Sequence, residues 1–223
     1  YVSRSSKIPN FRDEAASTGF GPQTKLRLTF GLFFADMDLD GRQDIVCVNG
    51  HLEDEISKVQ SSQTYAQPPQ LFWNGGFETS SELMELREEQ TGADFLKPMV
   101  GRGSAFADID GDGDLDLLFI ANGAEARLLR NDQVLNHHWL RIKLMGRNGL
   151  WEAIGARVII EDETEIRQRI VTPTRSYLSQ SELPVTFGLG RATPKKVTVI
   201  WPDGSTQEQT IDKLNQTLVI QQN

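Results

Sequence analysis

The sequence is poor in three features, and each shortage excludes a class of protein. Cys47 is the only cysteine among 223 residues, so an internal disulfide is excluded. No apolar run approaches the roughly 20 residues that span a membrane, so membrane insertion is not expected. Lys and Arg total 23 against 31 Asp and Glu, and the net charge is −8. Nucleic acid is therefore not an expected partner, because no basic stripe is present to follow phosphates.

Sequence signatures of catalysis are also missing. The chain has no G-x-S-x-G elbow, no P-loop and no H-E-x-x-H motif. Cys47 lies in an apolar run, which is typical of a buried small side chain. His137 and His138 are adjacent and diverge on a strand, so we favour a role at a domain junction over a metal site. His51 follows a turn beside acidic residues and fits a solvated loop better than a metal ligand.

An internal repeat is the most informative feature of the chain. Gly31–Asp44 aligns without gaps on Gly103–Asp116, and eight of the fourteen positions are identical. The similarity extends on both sides, so the repeated unit runs roughly over residues 11–74 and 77–131. The first copy carries an extra loop of about 15 residues near 53–69. The repeat predicts two copies of one supersecondary unit.

Each copy is predicted to be β-structure. Short apolar runs are separated by turn signals, and units of about 60 residues with three or four strands fit blades of a β-propeller. The predicted strands of the two copies are Leu32–Ala35, Ile45–Val48, Leu71–Trp73, Ser104–Ala107, Leu117–Ile120 and Arg127–Arg130. The Glu- and Leu-rich stretch Ser80–Gln90 is predicted to form a short surface helix between the blades.

The pattern changes after residue 136. Short strands separated by turn residues suggest a small all-β sandwich or barrel. The predicted strands are Leu140–Leu144, Ala156–Ile160, Ile166–Val171, Val185–Phe187, Val197–Trp201 and Leu218–Ile220. We therefore expect an all-β chain with propeller blades over residues 1–136 and a second β domain over residues 137–223.

The repeat carries the pattern D-x-D-x-D-G-x-x-D twice, in loop 1 (Asp36–Asp44) and loop 2 (Asp108–Asp116). Calcium binds six to eight oxygens at about 2.4 Å, and alternating Asp side chains on a tight turn can supply them. The glycine in each loop permits the sharp reversal. The predicted ligands of two calcium ions are side chains and, at Arg42 and Asp114, backbone carbonyls: Asp36, Asp38, Asp40, Arg42, Asp44, Asp108, Asp110, Asp112, Asp114 and Asp116.

Other interpretations of the loops were weighed. An EF-hand needs Glu at the twelfth loop position and flanking helices, whereas these positions hold Cys47 and Phe119 between strands. Mg²⁺ fits less well because it prefers few protein ligands, and ordinary polar turns stay an alternative. The side chain of Asp114 is expected to face water, because Arg42 takes its place in loop 1.

The chain has four tryptophans, a residue type that could indicate carbohydrate binding. Aromatic faces stack on sugars in many binding sites, although Trp73 and Trp201 lie in or end apolar runs and fit the core. Trp151 lies in a turn and is the best candidate for ligand binding. The alternatives to a calcium module are therefore a carbohydrate-binding module or part of an enzyme of polysaccharide or secondary-metabolite chemistry, since carboxylate pairs for hydrolysis stay open.

These motifs together resemble a known family. The Asp loops resemble FG-GAP or VCBS repeats, and Val48–His51 with Gly101–Asp108 is similar to the propeller of the cartilage acidic protein 1-like family. The C-terminal part resembles the ASPIC/UnbV domain. The segments that carry this second resemblance are Asn136–Leu140, Ala153–Arg157, Ser176–Ser181, Phe187–Gly190 and Trp201–Gly204.

The resemblance has implications for function. It implies calcium-stabilised blades, an extracellular or periplasmic setting, and cell adhesion or recognition of an unknown protein or glycan. It implies no agreed enzymatic activity, so we do not expect an enzyme. Because a propeller closes with about four to eight blades, two blades are expected to belong to a longer propeller chain.

Overall fold

The computed structural model describes residues 2–3, 11–76, 83–147, 153–162 and 165–223. Trp151 and part of the predicted helix Ser80–Gln90 lie outside these residues. Over the described part, the chain is all-β, with many short strands and four short helices. None of the helices found there is long and apolar enough to cross a membrane.

The elements follow one another in short connections. The helices are α1 (Phe20–Thr24), α2 (Ile56–Val59), α3 (Glu88–Thr91) and α4 (Ala93–Leu96). The strands are β1 (Val2–Ser3), β2 (Phe11–Arg12), β3 (Thr29–Ala35), β4 (Asp44–Asn49), β5 (Gln70–Asn74), β6 (Leu83–Glu85), β7 (Gly101–Ala107), β8 (Asp116–Ala121), β9 (Arg127–Leu129), β10 (His138–Met145), β11 (Arg157–Glu161), β12 (Ile166–Ile170), β13 (Thr174–Ser176), β14 (Ser179–Gln180), β15 (Val185–Gly190), β16 (Lys196–Ile200), β17 (Thr206–Thr210) and β18 (Gln216–Gln221).

The chain divides into two compact units, and each unit is built from several segments. The first contains Tyr1–Ala35, Gln43–Ser104 and Phe119–Arg127, and the second contains Asp36–Arg42, Ala105–Leu118 and Leu128–Asn223. Most of both Asp loops therefore belongs to the same unit as the C-terminal strands. The boundary expected between residues 136 and 137 stays a prediction.

The first unit contains a four-stranded antiparallel meander in the order β3-β4-β5-β6. Every residue of β4 is buried, as its apolar sequence predicts, and Cys47 packs with Ile45 and Phe72. Burial raises the pKa of the Cys47 thiol to about 12. A protonated, buried thiol is a poor nucleophile, so the interpretation of Cys47 as a core residue is confirmed.

The predicted helix at Ser80–Gln90 is wrong over its described residues. Leu83–Glu85 forms β6, and only Glu88–Thr91 is helical. Leu83 pairs with Asn74 of β5 and packs against the core of the sheet. Sheet pairing and burial of one leucine thus override the helix propensity of this Glu-rich stretch.

The C-terminal strands of the second unit form two sheets over one core. The sheets have the orders β15-β10-β18 and β12-β11-β16-β17, and β10 pairs with β18 in parallel. Both contribute to a single apolar cluster, which includes Ile142, Val158, Phe187 and Val199. The predicted all-β character of this region is confirmed: its two described sheets share a core and are not closed into a barrel.

The predicted strands of this region are all observed, but β17 has no counterpart among them. Its sequence, Thr-Gln-Glu-Gln-Thr, contains no apolar residue. It pairs with β16 at the edge of the four-stranded sheet. Because both faces of this edge strand are polar, its sequence shows no alternation of apolar and polar residues by which a strand could be predicted.

Candidate metal centres

Loop 1 connects β3 to β4 and turns sharply at two residues. Leu39 has φ 61° and Gly41 has φ 101°, both in the left-handed region. Leu39 is 1% exposed, so burial holds a side chain at a backbone position that costs a non-glycine residue roughly 1 kcal/mol. The loop is therefore a defined turn that the surrounding structure imposes.

Loop 2 connects β7 to β8 and repeats the same backbone turn. Gly111 has φ 83° and Gly113 has φ 100°, and these residues correspond to Leu39 and Gly41 in the repeat. Glycine adopts these angles without steric cost, so loop 2 reaches the same geometry without a buried leucine. The sequence repeat is thus also a structural repeat.

In loop 1 the carboxylates of Asp36, Asp38 and Asp40 lie together. One oxygen from each lies within 4.8 Å of the others. Backbone amides fix their orientation, since Gly41 N donates to Asp36 Oδ2 at 3.0 Å and Asp40 N donates to Asp38 Oδ1 at 3.2 Å. Three of the predicted side-chain ligands are therefore brought to one point.

In loop 2 the group is Asp108, Asp110 and Asp116, again with one oxygen each within 4.8 Å. Gly111 N donates to Asp108 Oδ1 at 2.7 Å, and Ile109 N donates to Asp116 Oδ2 at 2.8 Å. Among the described residues, Asp112 falls outside this group, and its Oδ1 accepts from Asp114 N at 3.2 Å. The two loops thus gather overlapping but different sets of aspartates.

The last aspartate of each loop performs the same structural task. Asp44 Oδ1 accepts from Asn74 N at 2.8 Å, and Asp116 Oδ1 accepts from Asn131 N at 2.9 Å. Both aspartates are buried. Asp116 also joins the second carboxylate group, whereas the first group is formed without Asp44.

The residue that directly follows the shared loop glycine has opposite charge in the two copies, Arg42 in loop 1 and Asp114 in loop 2. In loop 1, Arg42 N donates to Asp40 Oδ1 at 2.8 Å, and the Arg42 guanidinium pairs with the same carboxylate. Burial raises the pKa of Asp40, and the backbone hydrogen bond from Arg42 opposes this shift. Loop 1 therefore contains its own counter-charge.

The expectation that the Asp114 side chain faces water is wrong. Asp114 is 2% exposed, and within the described part of the chain its Oδ1 has no hydrogen-bond partner. Burial, a hydrogen bond with the side chain of Asp112 and the neighbouring carboxylates raise the pKa of Asp114 to about 8. Loop 2 thus holds an additional buried acid where loop 1 holds a cation.

The two carboxylate groups fit a calcium ion by size and by chemistry. Two oxygens on opposite sides of a calcium ion lie about 4.8 Å apart, because each Ca–O distance is about 2.4 Å. The grouped oxygens meet this limit in both loops. All donors are oxygens, which is the ligand type that calcium prefers over nitrogen or sulfur.

The backbone of loop 1 is held by other parts of the second unit. The carbonyls of Met37, Asp38 and Leu39 lie within hydrogen-bond distance of Asn131 Nδ2 at 2.8 Å, His137 Nδ1 at 2.7 Å and Gly190 N at 2.9 Å, respectively. Three successive carbonyls are thereby fixed. His137 acts here as a partner of the loop backbone within the second unit, and the domain-junction role expected for it stays a prediction.

Two glycines allow close approach to the loops. A Cβ on Gly113 would overlap the indole of Trp139, and a Cβ on Gly188 would overlap the carboxylate of Asp36. Trp139 lies on β10, and Gly188 lies on β15. The Asn136–Leu140 and Phe187–Gly190 motifs therefore include the residues that pack against the Asp loops.

Two arginines approach loop 2, and the sequence does not mark either of them as a site residue. Arg141 on β10 forms a two-pronged ion pair with Glu182 and lies 3.5 Å from Asp108 Oδ2. Burial raises the pKa of Glu182, and Arg141 opposes this shift. Arg130 pairs with Asp132 and lies 3.9 Å from Asp110 Oδ2. No local pattern marks these residues, because the partners of Asp108 are distant in sequence.

The other tryptophans and the histidine considered as site residues lie in different surroundings. Trp201 is 3% exposed and belongs to the core of the C-terminal strands, as predicted. Trp73 is half-buried. His51 Nδ1 accepts from Glu53 N at 3.0 Å in a partly exposed turn. Trp151 lies outside the described residues, so its ligand-binding role stays a prediction.

Comparison with known proteins gives a family match for the C-terminal region. Residues 146–223 match the family model described as ASPIC and UnbV. This segment contains β11 to β18.

Similar curated proteins match part of the chain. Cartilage acidic protein 1 of Mus musculus is 34% identical over 142 residues, which is 60% of this chain and 22% of the relative. The Homo sapiens protein of the same name is 34% identical over 131 residues, which is 56% of this chain and 20% of the relative. The chain thus spans about a fifth of the length of these relatives. Together, the matches support the assignment of the C-terminal part of the chain to the ASPIC and UnbV domain family.

Proposed function

We propose that the chain is a calcium-binding recognition or adhesion module in which two calcium ions are structural and no catalysis occurs. Each ion would be held by carboxylates of one Asp loop, with the Arg42 or Asp114 carbonyl as a further ligand. The observation that carries the proposal is the duplicated geometry: two loops with matching left-handed residues each gather three carboxylates within 4.8 Å.

The proposed role of calcium follows from where the loops lie. Loop 1 joins β3 to β4 and loop 2 joins β7 to β8, so an ion in either loop ties together the ends of two neighbouring strands. An ion bound to the folded state alone stabilises that state by mass action. It also neutralises carboxylates that otherwise repel one another at short distance.

The proposed architecture is supported by the four-stranded meander, and the proposed setting is supported by the similar proteins. A four-stranded meander in sequential order is the arrangement of a propeller blade, which supports FG-GAP or VCBS-type blades within a longer propeller. The name of the matched relatives refers to cartilage, a tissue rich in extracellular matrix. The similar proteins favour an extracellular setting, and we infer adhesion or recognition of a protein or glycan partner as the role there.

Counting bound ions by native mass spectrometry tests the proposal. We expect two calcium ions on the parent chain, one on Asp38→Ala, one on Asp110→Ala and none on the double variant. Asp212→Ala removes an exposed aspartate outside the loops and serves as the matched control, with two ions expected.

Two results would count against the proposal. A parent chain that carries no calcium at millimolar concentration would identify the loops as ordinary polar turns. Loss of calcium from Asp212→Ala to the same extent as from Asp38→Ala would show only nonspecific binding to acidic surface.

A further inference from the structure

Two acids outside loop 2 hold the arginines that come near it. Arg141 Nη1 lies 3.5 Å from Asp108 Oδ2 but donates to Glu182 Oε1 at 2.6 Å, and Arg141 Nη2 pairs with Glu182 Oε2. Arg130 Nε lies 3.9 Å from Asp110 Oδ2 but 2.8 Å from Asp132 Oδ1. In both cases the shorter contact is made to the acid outside the loop.

Only the first of these pairs is shielded from solvent. The side chains of Arg141, Glu182 and Asp108 are 9%, 13% and 3% exposed, whereas those of Arg130 and Asp132 are 59% and 64% exposed. Exposed ion pairs contribute little because water and salt screen them. The position of Arg141 therefore has much more effect on loop 2 than the position of Arg130.

Glu182 determines which carboxylate the guanidinium of Arg141 pairs with. Charge-assisted hydrogen bonds between a guanidinium and a carboxylate are about 2.7–2.9 Å long, so the 3.5 Å approach to Asp108 is not a close pair. Both terminal nitrogens of Arg141 are engaged by Glu182. If Glu182 lost its charge, Asp108 would be the carboxylate within reach of Arg141.

An arginine on Asp108 would compete with a metal ion. Asp108 Oδ1 already accepts from Gly111 N at 2.7 Å, and Oδ2 is the oxygen that faces Arg141. A divalent cation in loop 2 and a closely paired guanidinium would draw on the same carboxylate. The cation would also be repelled by the arginine charge.

We propose that Glu182 is a positioning residue for loop 2: it holds Arg141 on its own carboxylate and so leaves Asp108 to a divalent cation. This inference rests on the proposed calcium function of the loops. It predicts opposite effects for the two partners of one ion pair. Loss of the Glu182 charge weakens calcium binding in loop 2, and loss of the Arg141 charge strengthens it.

The test is calorimetric titration of calcium into the full chain carrying Asp38→Ala, in which loop 2 alone is titrated. Partners that orient metal ligands from outside change metal affinity by roughly 10- to 100-fold, so we expect Glu182→Gln to raise Kd by about tenfold or more. Arg141→Met is expected to lower Kd, and the double variant Arg141→Met with Glu182→Gln is expected to bind at least as tightly as the parent.

Two matched controls separate this effect from a general loss of structure. Glu208→Gln removes the acid of an exposed ion pair with Lys196, and no change in Kd is expected. In the Asp110→Ala chain only loop 1 is expected to bind calcium. There, Glu182→Gln is expected to leave the calcium Kd unchanged. Thermal unfolding of each metal-free variant establishes that it is folded.

Several outcomes would overturn the inference alone. One is a calcium Kd of loop 2 that Glu182→Gln leaves unchanged. Another is a calcium affinity that Glu182→Gln and Arg141→Met weaken by the same factor, which would indicate a purely structural ion pair. If Glu182→Gln does not fold, a Kd in Arg141→Met equal to or above that of the parent has the same meaning. A parent chain that binds no calcium in either loop would refute the proposed function as well, so the two failures are distinguishable.

Discussion

The two Asp loops share a backbone and differ in the charges around them. Both use left-handed residues at the same two positions of the repeat. Loop 1 pairs Asp40 with its own Arg42, and the carbonyls of its backbone are held by hydrogen bonds. Loop 2 has Asp114 in place of Arg42, and that acid is buried. One geometry is therefore combined with two electrostatic designs.

The difference predicts that the two loops would depend on a metal ion to different degrees. Loop 1 has four aspartates and an arginine, whereas loop 2 has five aspartates and no basic residue of its own. The arginines near loop 2 form their shorter contacts elsewhere. Since like charges in a buried place oppose folding, the account predicts that metal in loop 2 stabilises the chain more than metal in loop 1.

Removal of calcium is expected to have the largest effect. Saturation of two sites at about 100 times Kd adds roughly 5 kcal/mol to the free energy of unfolding, and for a chain of this size about 1 kcal/mol corresponds to 2–4 °C in Tm. Chelation should therefore lower Tm by about 10–20 °C in thermal unfolding. Asp110→Ala should lose more of this gain than Asp38→Ala. Equal losses would remove the proposed asymmetry between the loops.

A pair of glycine substitutions in loop 2 is expected to have the next largest effect. Gly113→Ala places a methyl group against the indole of Trp139 at φ 100°, whereas at Gly111, with φ 83°, no atom lies within contact distance. Overpacking and backbone strain together should cost Gly113→Ala about 2–4 kcal/mol, against about 1 kcal/mol for Gly111→Ala. Chemical denaturation measures both, and similar costs would argue against tight packing of Trp139 on loop 2.

Asp114 should give metal-free protein a distinctive pH dependence. Its pKa is about 8 in the folded chain and about 3.9 when unfolded, so the folded state binds more protons between these values. The stability contributed by Asp114 is thus present at low pH and is lost as pH rises towards 8, by on the order of 1 kcal/mol per unit. Urea unfolding in chelator between pH 5 and 7.5 should show a weaker decline for Asp114→Asn than for the parent. Asp212→Asn should match the parent, and an unchanged slope in Asp114→Asn would contradict the burial of this charge.

Arg42→Ala in loop 1 is expected to have the smallest effect. The Arg42 side chain is 43% exposed, so its pair with Asp40 is screened by solvent. Loss of the pair should lower the free energy of unfolding of the metal-free chain by about 0.2–1 kcal/mol. A loss above about 2 kcal/mol in denaturant titration would indicate that loop 1 depends on Arg42 far more than the exposed pair suggests.

Much of the fold follows from local sequence patterns. Apolar runs such as Ile45–Val48 and the alternation in Leu140–Leu144 predict strands that are observed as β4 and β10. The pattern does not reveal β17, whose residues are all polar. It also does not reveal β6, whose Leu83 packs against the apolar cluster formed by β4 and β5. Local periodicity is informative only where one face of an element is apolar.

The candidate site shows the same limit. The repeat in the sequence predicts the aspartates from which both groups are drawn, because loop geometry is local and both copies share one glycine. It does not predict that, among the described residues, Asp44 and Asp112 fall outside these groups. It does not predict the burial of Asp114, since Arg42 at the matching position is exposed. Arg141 and Glu182 reach loop 2 only through the fold of the C-terminal strands. Most of the proposed ligands are thus visible in the sequence, and the groups that surround them are not.

Each Asp loop is proposed to hold one calcium ion. Anomalous diffraction from crystals of the chain grown with calcium tests it most directly, because it locates the ions and their ligands. We expect two peaks, one coordinated by Asp36, Asp38 and Asp40 and one by Asp108, Asp110 and Asp116. Absence of both peaks at saturating calcium, or peaks only at exposed acids outside the loops, would contradict it.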